Sequence, residues 1–170
     1  MTAPLTINGW TILAHPLFLG QIEKLVASVE AARKRDPQNY RRTPNAKVLA
    51  AIAEIALNRI PQDPSNARYR QGDTLGEEYK HWFRDKFGNG RFRIFFRFDQ
   101  KSKIIIYAWV NDSTTLREYG SKTDAYAVFS KMLNGGNPPD EWSSLVAACD
   151  PAEMAAVATE KLTTTFLSDD

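Results

Sequence analysis

Apolar residues recur at helical spacing from Pro16 to Asp36, where Leu17, Phe18, Ile22, Leu25, Val26 and Val29 share one face and Pro16 suits a first turn. Asp36-Pro37 ends this helix. A second helix is predicted over Thr43 to Ile60, with Val48, Leu49, Ile52, Ile55 and Leu57 on its buried side and Pro61 as its stop. Residues 62–76 are polar and turn-rich, apart from Arg68-Tyr69-Arg70-Gln71, which suits a short edge strand.

From Tyr79 to Val110 the period changes to two. Asn89-Gly90 is a strong hairpin signal, because a type I′ turn needs positive φ at both central residues. A loop there sets Phe87 opposite Phe92, Lys86 opposite Arg93, Asp85 opposite Ile94, Arg84 opposite Phe95 and Phe83 opposite Phe96. One face then carries Phe83, Phe87, Phe92, Ile94, Phe96 and Phe98 with Asp85 among them, and reads as core. The other carries Trp82, Arg84, Lys86, Arg91, Arg93, Phe95 and Arg97. A third strand, Lys103 to Trp109, is apolar on both faces and is expected to be central. A loop over 111–120 leads to a helix from Ser121 to Asn134, with Ser121 and Asp124 as a capping box and Gly135-Gly136 as its end. Asp140 to Ala148 and Pro151 to Leu167 form further short helices, the last capped by Asp150. The order predicts an α+β domain with two N-terminal helices packed on a small antiparallel sheet, followed by C-terminal helices.

The chain has 170 residues, 22 Lys+Arg and 20 Asp+Glu, for a net charge of +2. That small total hides a segregation: residues 80–131 carry +6 and residues 132–170 carry −6. A basic block suggests a polyanionic partner, since neutralising phosphates releases counterions. The one cysteine, Cys149, suits packing and cannot form an internal disulfide. No apolar run reaches the roughly 20 residues of a membrane span. No signal-peptide pattern precedes Trp10, so a cytoplasmic location without membrane contact is expected.

The outer hairpin face is the most unusual feature. Lys86 opposite Arg93 places like charges across two strands, which disfavours the pair by roughly 0.2–1 kcal/mol. Trp82 and Phe95 beside Arg84, Arg93 and Arg97 would offer bases a stacking surface and phosphates a set of guanidiniums. The alternative is that another element, such as the acidic C-terminal segment, covers this face. No Asp/Glu set has obvious Mg²⁺ spacing, two histidines and one cysteine make a poor zinc set, and no phosphate-loop or cofactor motif appears. Metal-free RNA cleavage by the 2′-OH fits best. It needs a base, an acid and cations for the developing charge. Arg117, Tyr119 and Lys122 in the polar loop after the third strand are candidates, and His81 is another.

Several runs carry a family resemblance: Asn8-Gly-Trp10, Ala14-His-Pro16, Asp36-Pro-x-Asn-Tyr40 and Lys86-Phe-Gly-x-Gly-Arg-Phe-Arg-x-Phe-Phe-Arg97. The longest is Trp109-Val-Asn-Asp-x-x-Thr-Leu-Arg-x-Tyr-Gly-x-Lys-Thr-Asp-Ala-Tyr-x-Val-Phe-Ser-Lys-Met-Leu133. Together they resemble the YhaV toxins of bacterial type II toxin–antitoxin systems. The resemblance implies a single RelE-like ribonuclease domain over 1–150, with 151–170 as an unassigned C-terminal extension. It also implies cleavage of RNA, whether free or on the ribosome, that blocks translation. A PrlF-type antitoxin would neutralise the toxin, and the complex would bind operator DNA. By the same resemblance Arg84 is a catalytic cation, with Arg93, Arg117 and Tyr119 joining it by analogy with RelE-like toxins. The combined expectation is that Arg84 and Arg93 clamp the scissile phosphate. Lys86 stabilises charge or takes the 2′ proton, and Tyr119 or His81 serves as acid or base. Trp82, Arg91, Phe95, Arg97 and Lys122 bind RNA, with no cofactor. The competing expectation is a non-catalytic RNA-binding module on the same face.

Overall fold

The computed structural model describes residues 3–163. It opens on a hairpin absent from the sequence-based expectation, β1 (Leu5–Ile7) and β2 (Trp10–Ala14), turned by Asn8 and Gly9 at φ 50° and 81°. The turn chemistry is the Asn-Gly signal of the later hairpin, used twice. Helix α1 (Pro16–Arg35) follows at once. His15 caps it by accepting the Leu17 N–H on Nδ1 at 3.1 Å, and burial lowers the His15 pKa, which favours the neutral ring that can accept.

Helix α2 (Pro44–Glu54) is capped by Thr43 and runs through a π-helical turn at Ile55–Arg59 into the short α3 (Ile60–Gln62). In that turn the Ile60 N–H bonds the Ile55 carbonyl, and Pro61 has no N–H to offer. The Ala56 carbonyl is therefore left over, and the Tyr107 hydroxyl donates to it at 2.6 Å. The expected edge strand at 68–71 is instead a 3₁₀ turn, Ala67–Tyr69, with a single bridge from Arg70 to Phe83.

Strands β3 (Phe83–Phe87) and β4 (Phe92–Asp99) pair in the register read from the sequence, from Phe83 with Phe96 to Phe87 with Phe92. Asn89 and Gly90 take φ 58° and 79°, as a type I′ turn requires. Strand β5 (Ile104–Val110) is central in a five-stranded sheet of order β1-β2-β5-β4-β3. The sheet is mixed rather than antiparallel as expected, because the N-terminal hairpin lays β2 parallel to β5. A bulge between β4 and β5 turns both Ala108 and Trp109 to one side.

Two cores flank the sheet. Ile12, Ile94, Phe96, Ile105 and Tyr107 pack under α1 and α2 in one layer. Helices α4 (Ala125–Asn134) and α5 (Trp142–Ala147) cover the other face, where Phe129, Leu133 and Leu145 meet Leu13, Phe95, Ile106 and Trp109. Helix α6 (Pro151–Ala156), capped by Asp150, continues as a π-helical segment to Thr163, and Met154 and Leu162 enter the first core. The remainder of the helix expected to Leu167 lies outside the described residues.

Candidate active site

The second helical layer decides which cations are available. Trp82 and Phe95 are fully buried, with ring centroids 5.2 and 4.2 Å from Phe129. They are core residues and offer no stacking surface, which overturns the expected platform and removes the aromatics that a pure RNA-binding face would have used. The cause is α4, whose apolar stripe needs a sheet face to cover. Arg97 is drawn in as well. Its guanidinium lies 5.4 and 5.3 Å from the Trp82 and Trp142 rings and donates to the Asp140 carbonyl. Burial lowers its pKa, with Asp140 opposing.

Arg84 on β3 and Arg93 on β4 are diagonal neighbours, since Arg84 pairs with Phe95 and Lys86 with Arg93. Both are buried, at 8% and 6% exposure. Their Nε atoms donate to one acceptor, the Tyr126 Oη, at 2.9 and 3.0 Å. Backbone carbonyls take further hydrogens: Arg68 O from Arg84 at 2.9 Å, and Gly90 O and Phe92 O from Arg93 at 2.7 and 3.0 Å. Among the described residues neither guanidinium forms an ion pair, whereas Arg59 and Arg68 flank buried Asp85 at 3.0 and 3.7 Å and Arg117 holds Asp124 at 2.7 Å. Two buried positive charges held by neutral oxygens are poorly compensated. Such a pair has the chemistry to hold an anion.

Tyr126 was not singled out by the sequence reading, although it lies within the motif that carries the resemblance. It sits in the first turn of α4 because Asp124 caps that helix, Oδ2 accepting the N–H groups of Tyr126 at 3.0 Å and Ala127 at 3.4 Å. Asp124 Oδ1 accepts from Arg117 and from the Glu118 N–H, both at 2.7 Å. Burial alone would raise the Asp124 pKa, and these hydrogen bonds outweigh it and hold the carboxyl below its usual range. Arg117 lies 4.3 Å from the Tyr119 ring and 4.8 Å from the Tyr126 ring. Asn111, also missed, joins β4 to the 111–117 loop: Oδ1 accepts the Arg93 N–H at 2.7 Å, and Nδ2 donates to Arg91 O and Thr115 O.

The structure thus brings Arg84, Arg93 and Arg117 together around Tyr126. Lys86 is exposed on the same strand face, Arg91 is exposed at the hairpin turn, and Tyr119 is 92% exposed. An open depression of about 740 Å³ is lined by Arg117, Tyr119, Lys122, Asp124 and Tyr126. His81 is elsewhere. Its Nε2 lies 2.6 Å from Asp140 Oδ1, which also accepts Trp82 Nε1 at 2.8 Å. Neighbouring Tyr79 bonds Asn134 at the far end of α4, eight residues or roughly 12 Å along the axis from Tyr126. That separation takes His81 out of the arginine cluster. Among the described residues no group of three or more His, Cys, Asp or Glu side chains is placed to hold a metal, and no helix is long and apolar enough to cross a membrane.

The fold is a mixed α+β domain in which a buried arginine pair, without a carboxylate partner among the described residues, converges on Tyr126, a donor set suited to an anion. Residues 12–150 match the YhaV toxin family, described as toxins with endonuclease activity of toxin–antitoxin systems, and the chain belongs to that family. It is 49% identical over 146 residues to Toxin YhaV of Escherichia coli O6:H1 (strain CFT073) and 47% identical to Ribonuclease toxin YhaV of Escherichia coli strain K12. Each alignment covers 85% of this chain and 95% of the relative. No solved structure matches the chain.

Proposed function

We propose that this endonuclease toxin cleaves RNA by metal-independent attack of a 2′-OH on the adjacent phosphorus. The observation that carries the reading is the Arg84–Arg93 pair, whose Nε atoms share one phenol oxygen and whose charges meet no carboxylate among the described residues. A phosphate seated there completes the charge balance. In the reaction the P–O2′ bond forms and the P–O5′ bond breaks, leaving a 2′,3′-cyclic phosphate and a 5′-OH. The guanidiniums hold the non-bridging oxygens, where one well-placed donor contributes about 3–4 kcal/mol in the transition state. Lys86 adds charge or receives the 2′ proton. Tyr119, polarised from below by Arg117, supplies the acid or base, with a flanking base stacked on its open face. Arg91 and Lys122 bind phosphates on either side. The name Ribonuclease toxin of the strain K12 relative supports RNA as the substrate.

Helices α1 and α2 over a largely antiparallel sheet support the RelE-like ribonuclease arrangement. The single catalytic unit is residues 1–150, acting in the cytoplasm without a cofactor. Its partners are a PrlF-type antitoxin and, as the toxin–antitoxin complex, operator DNA.

The test is cleavage of end-labelled RNA by Arg84→Ala and Arg93→Ala. Each is expected to lose cleavage by about 10²–10³-fold, the effect of one removed oxyanion donor, while circular dichroism and antitoxin capture stay as in wild type. A folded variant that cleaves at the wild-type rate removes that arginine from the site.

A further inference from the structure

On the opposite side of the hairpin tip two depressions of about 220 and 450 Å³ share Asn45, Val48, Phe92 and Ser113, and so form one groove between the helical layer and the strand turn. Its floor is apolar: Leu25, Val48, Phe87 and Leu116 are half-buried there, over Phe92. Its rim is cationic, with exposed Lys24, Arg42, Lys47 and Arg91, none of which has a carboxylate partner among the described residues. Asp112 is the acidic group lining the groove, and its carboxylate is occupied by Gln21, Thr114 and Thr115 at 2.6–3.0 Å. The groove therefore presents positive charge around hydrocarbon, the complement of an acidic amphipathic helix with apolar anchors at i, i+3 and i+7. RNA suits it less well. The Phe87 and Phe92 rings stack on each other at 5.3 Å, and Phe92 is 8% exposed, so the floor presents little aromatic surface to a base.

We propose that this groove receives an acidic amphipathic helix of the antitoxin. The proposal rests on the toxin–antitoxin reading and adds where the antitoxin contacts the chain. The groove adjoins the arginine site and shares only Arg91 with the proposed RNA path: Arg91 lines the groove, while its carbonyl accepts from the Arg117 N–H and from Asn111, and the neighbouring Gly90 carbonyl holds Arg93. An occupant would thus sit behind the hairpin tip that positions Arg93, leaving the Tyr126 side open.

The test uses the full-length double variant Arg42→Glu/Lys47→Glu, whose side chains are exposed and lie outside the proposed catalytic set. Affinity for the purified cognate antitoxin is measured by calorimetry at two salt concentrations, beside RNA cleavage by the free toxin. The expected result is an antitoxin affinity weaker by about 30-fold or more, with reduced salt dependence, and an unchanged cleavage rate. Val48→Asp, in the floor, is expected to weaken antitoxin binding in the same direction with cleavage retained. Antitoxin affinity within threefold of wild type for the double variant overturns the proposal. Loss of RNA binding with antitoxin affinity preserved also overturns it and gives the groove to RNA. A wild-type chain that the antitoxin neither binds nor inhibits overturns the toxin–antitoxin pairing itself, and the groove assignment falls with it.

Discussion

Replacing Tyr126 by phenylalanine removes one oxygen atom and, with it, the acceptor of two guanidinium hydrogen bonds at 2.9 and 3.0 Å. The ring stays, so its edge contact with Phe95 at 5.5 Å and its stacking with Arg93 and Arg117 are kept. A hydrogen bond to a charged group contributes about 1.5–3 kcal/mol, which sets an upper bound of about 6 kcal/mol for the pair. Part of that is retained, because each guanidinium keeps its backbone partners, so the expected loss is about 2–3 kcal/mol. On the proposed mechanism the larger consequence is for catalysis. Without the shared anchor the two arginines no longer have a fixed separation, and misplacement on the order of 1 Å costs about 10²-fold in rate. Denaturant unfolding and single-turnover cleavage of a defined RNA measure the two effects on one preparation. Both are expected to fall, with the larger proportional change in rate. A Tyr126→Phe protein with wild-type stability and cleavage would refute the claim that the phenol oxygen holds the arginine pair.

Arg84→Lys keeps the charge but not the forked donor geometry, so cleavage should fall by about 10²-fold, and recovery to wild-type rate would show that charge alone suffices. Tyr107→Phe leaves the Ala56 carbonyl buried without its donor, and denaturation should report a loss of about 1–3 kcal/mol; no measurable loss would contradict that account of the π turn. The Asp112 pKa is held at about 2, since the bonds from Thr114, Gln21 and Thr115 outweigh a burial effect that would raise it. A depressed folded-state pKa gives stability that is present above about pH 4 and is lost as pH falls toward 2, and solvent screening at this partly exposed group limits it to about 1–2 kcal/mol. Asp112→Ala should flatten acid unfolding in that window, and an unchanged pH profile would contradict the assignment. Cys149, with its thiol pushed up to about 12 by burial, should resist thiol reagents at pH 8 until the protein unfolds, and rapid labelling of the native protein would contradict this.

The hairpin register was legible because two independent signals agreed: the Asn89-Gly90 turn and the alternation that set Asp85 among aromatics. Asp85 indeed lies on the core side, neutralised by Arg59 and Arg68. What the alternation could not reveal was the environment of the second face. A strand reading Trp82-x-Arg84-x-Lys86 looks solvated, and only α4, some forty residues later in sequence, makes Trp82 core and Arg84 half of a buried pair. The apolar stripe of α4 was visible as a helix pattern, but a stripe does not name the surface it covers. Tyr126 was hidden for the same reason, since its role depends on a tertiary contact with two strands. The first hairpin was open to detection: Asn8-Gly9 stands between Leu5, Ile7 and Trp10, and β1 has only three residues. The +6 block likewise read as one patch, although the fold divides it. Arg84 and Arg93 are buried, Arg97 lies between tryptophans, Arg117 pairs with Asp124, and Lys86, Arg91 and Lys122 remain exposed.

End-group analysis of RNA cut by the purified protein in excess EDTA separates 2′-OH attack from metal-ion hydrolysis. Metal-independent attack gives cleavage at an undiminished rate, with a 2′,3′-cyclic phosphate on the upstream fragment and a 5′-OH on the downstream one. A substrate carrying 2′-deoxyribose at the scissile position is expected to stay intact. Cleavage abolished by EDTA and restored by a divalent cation, or a 5′-phosphate on the downstream fragment, would contradict metal-independent attack.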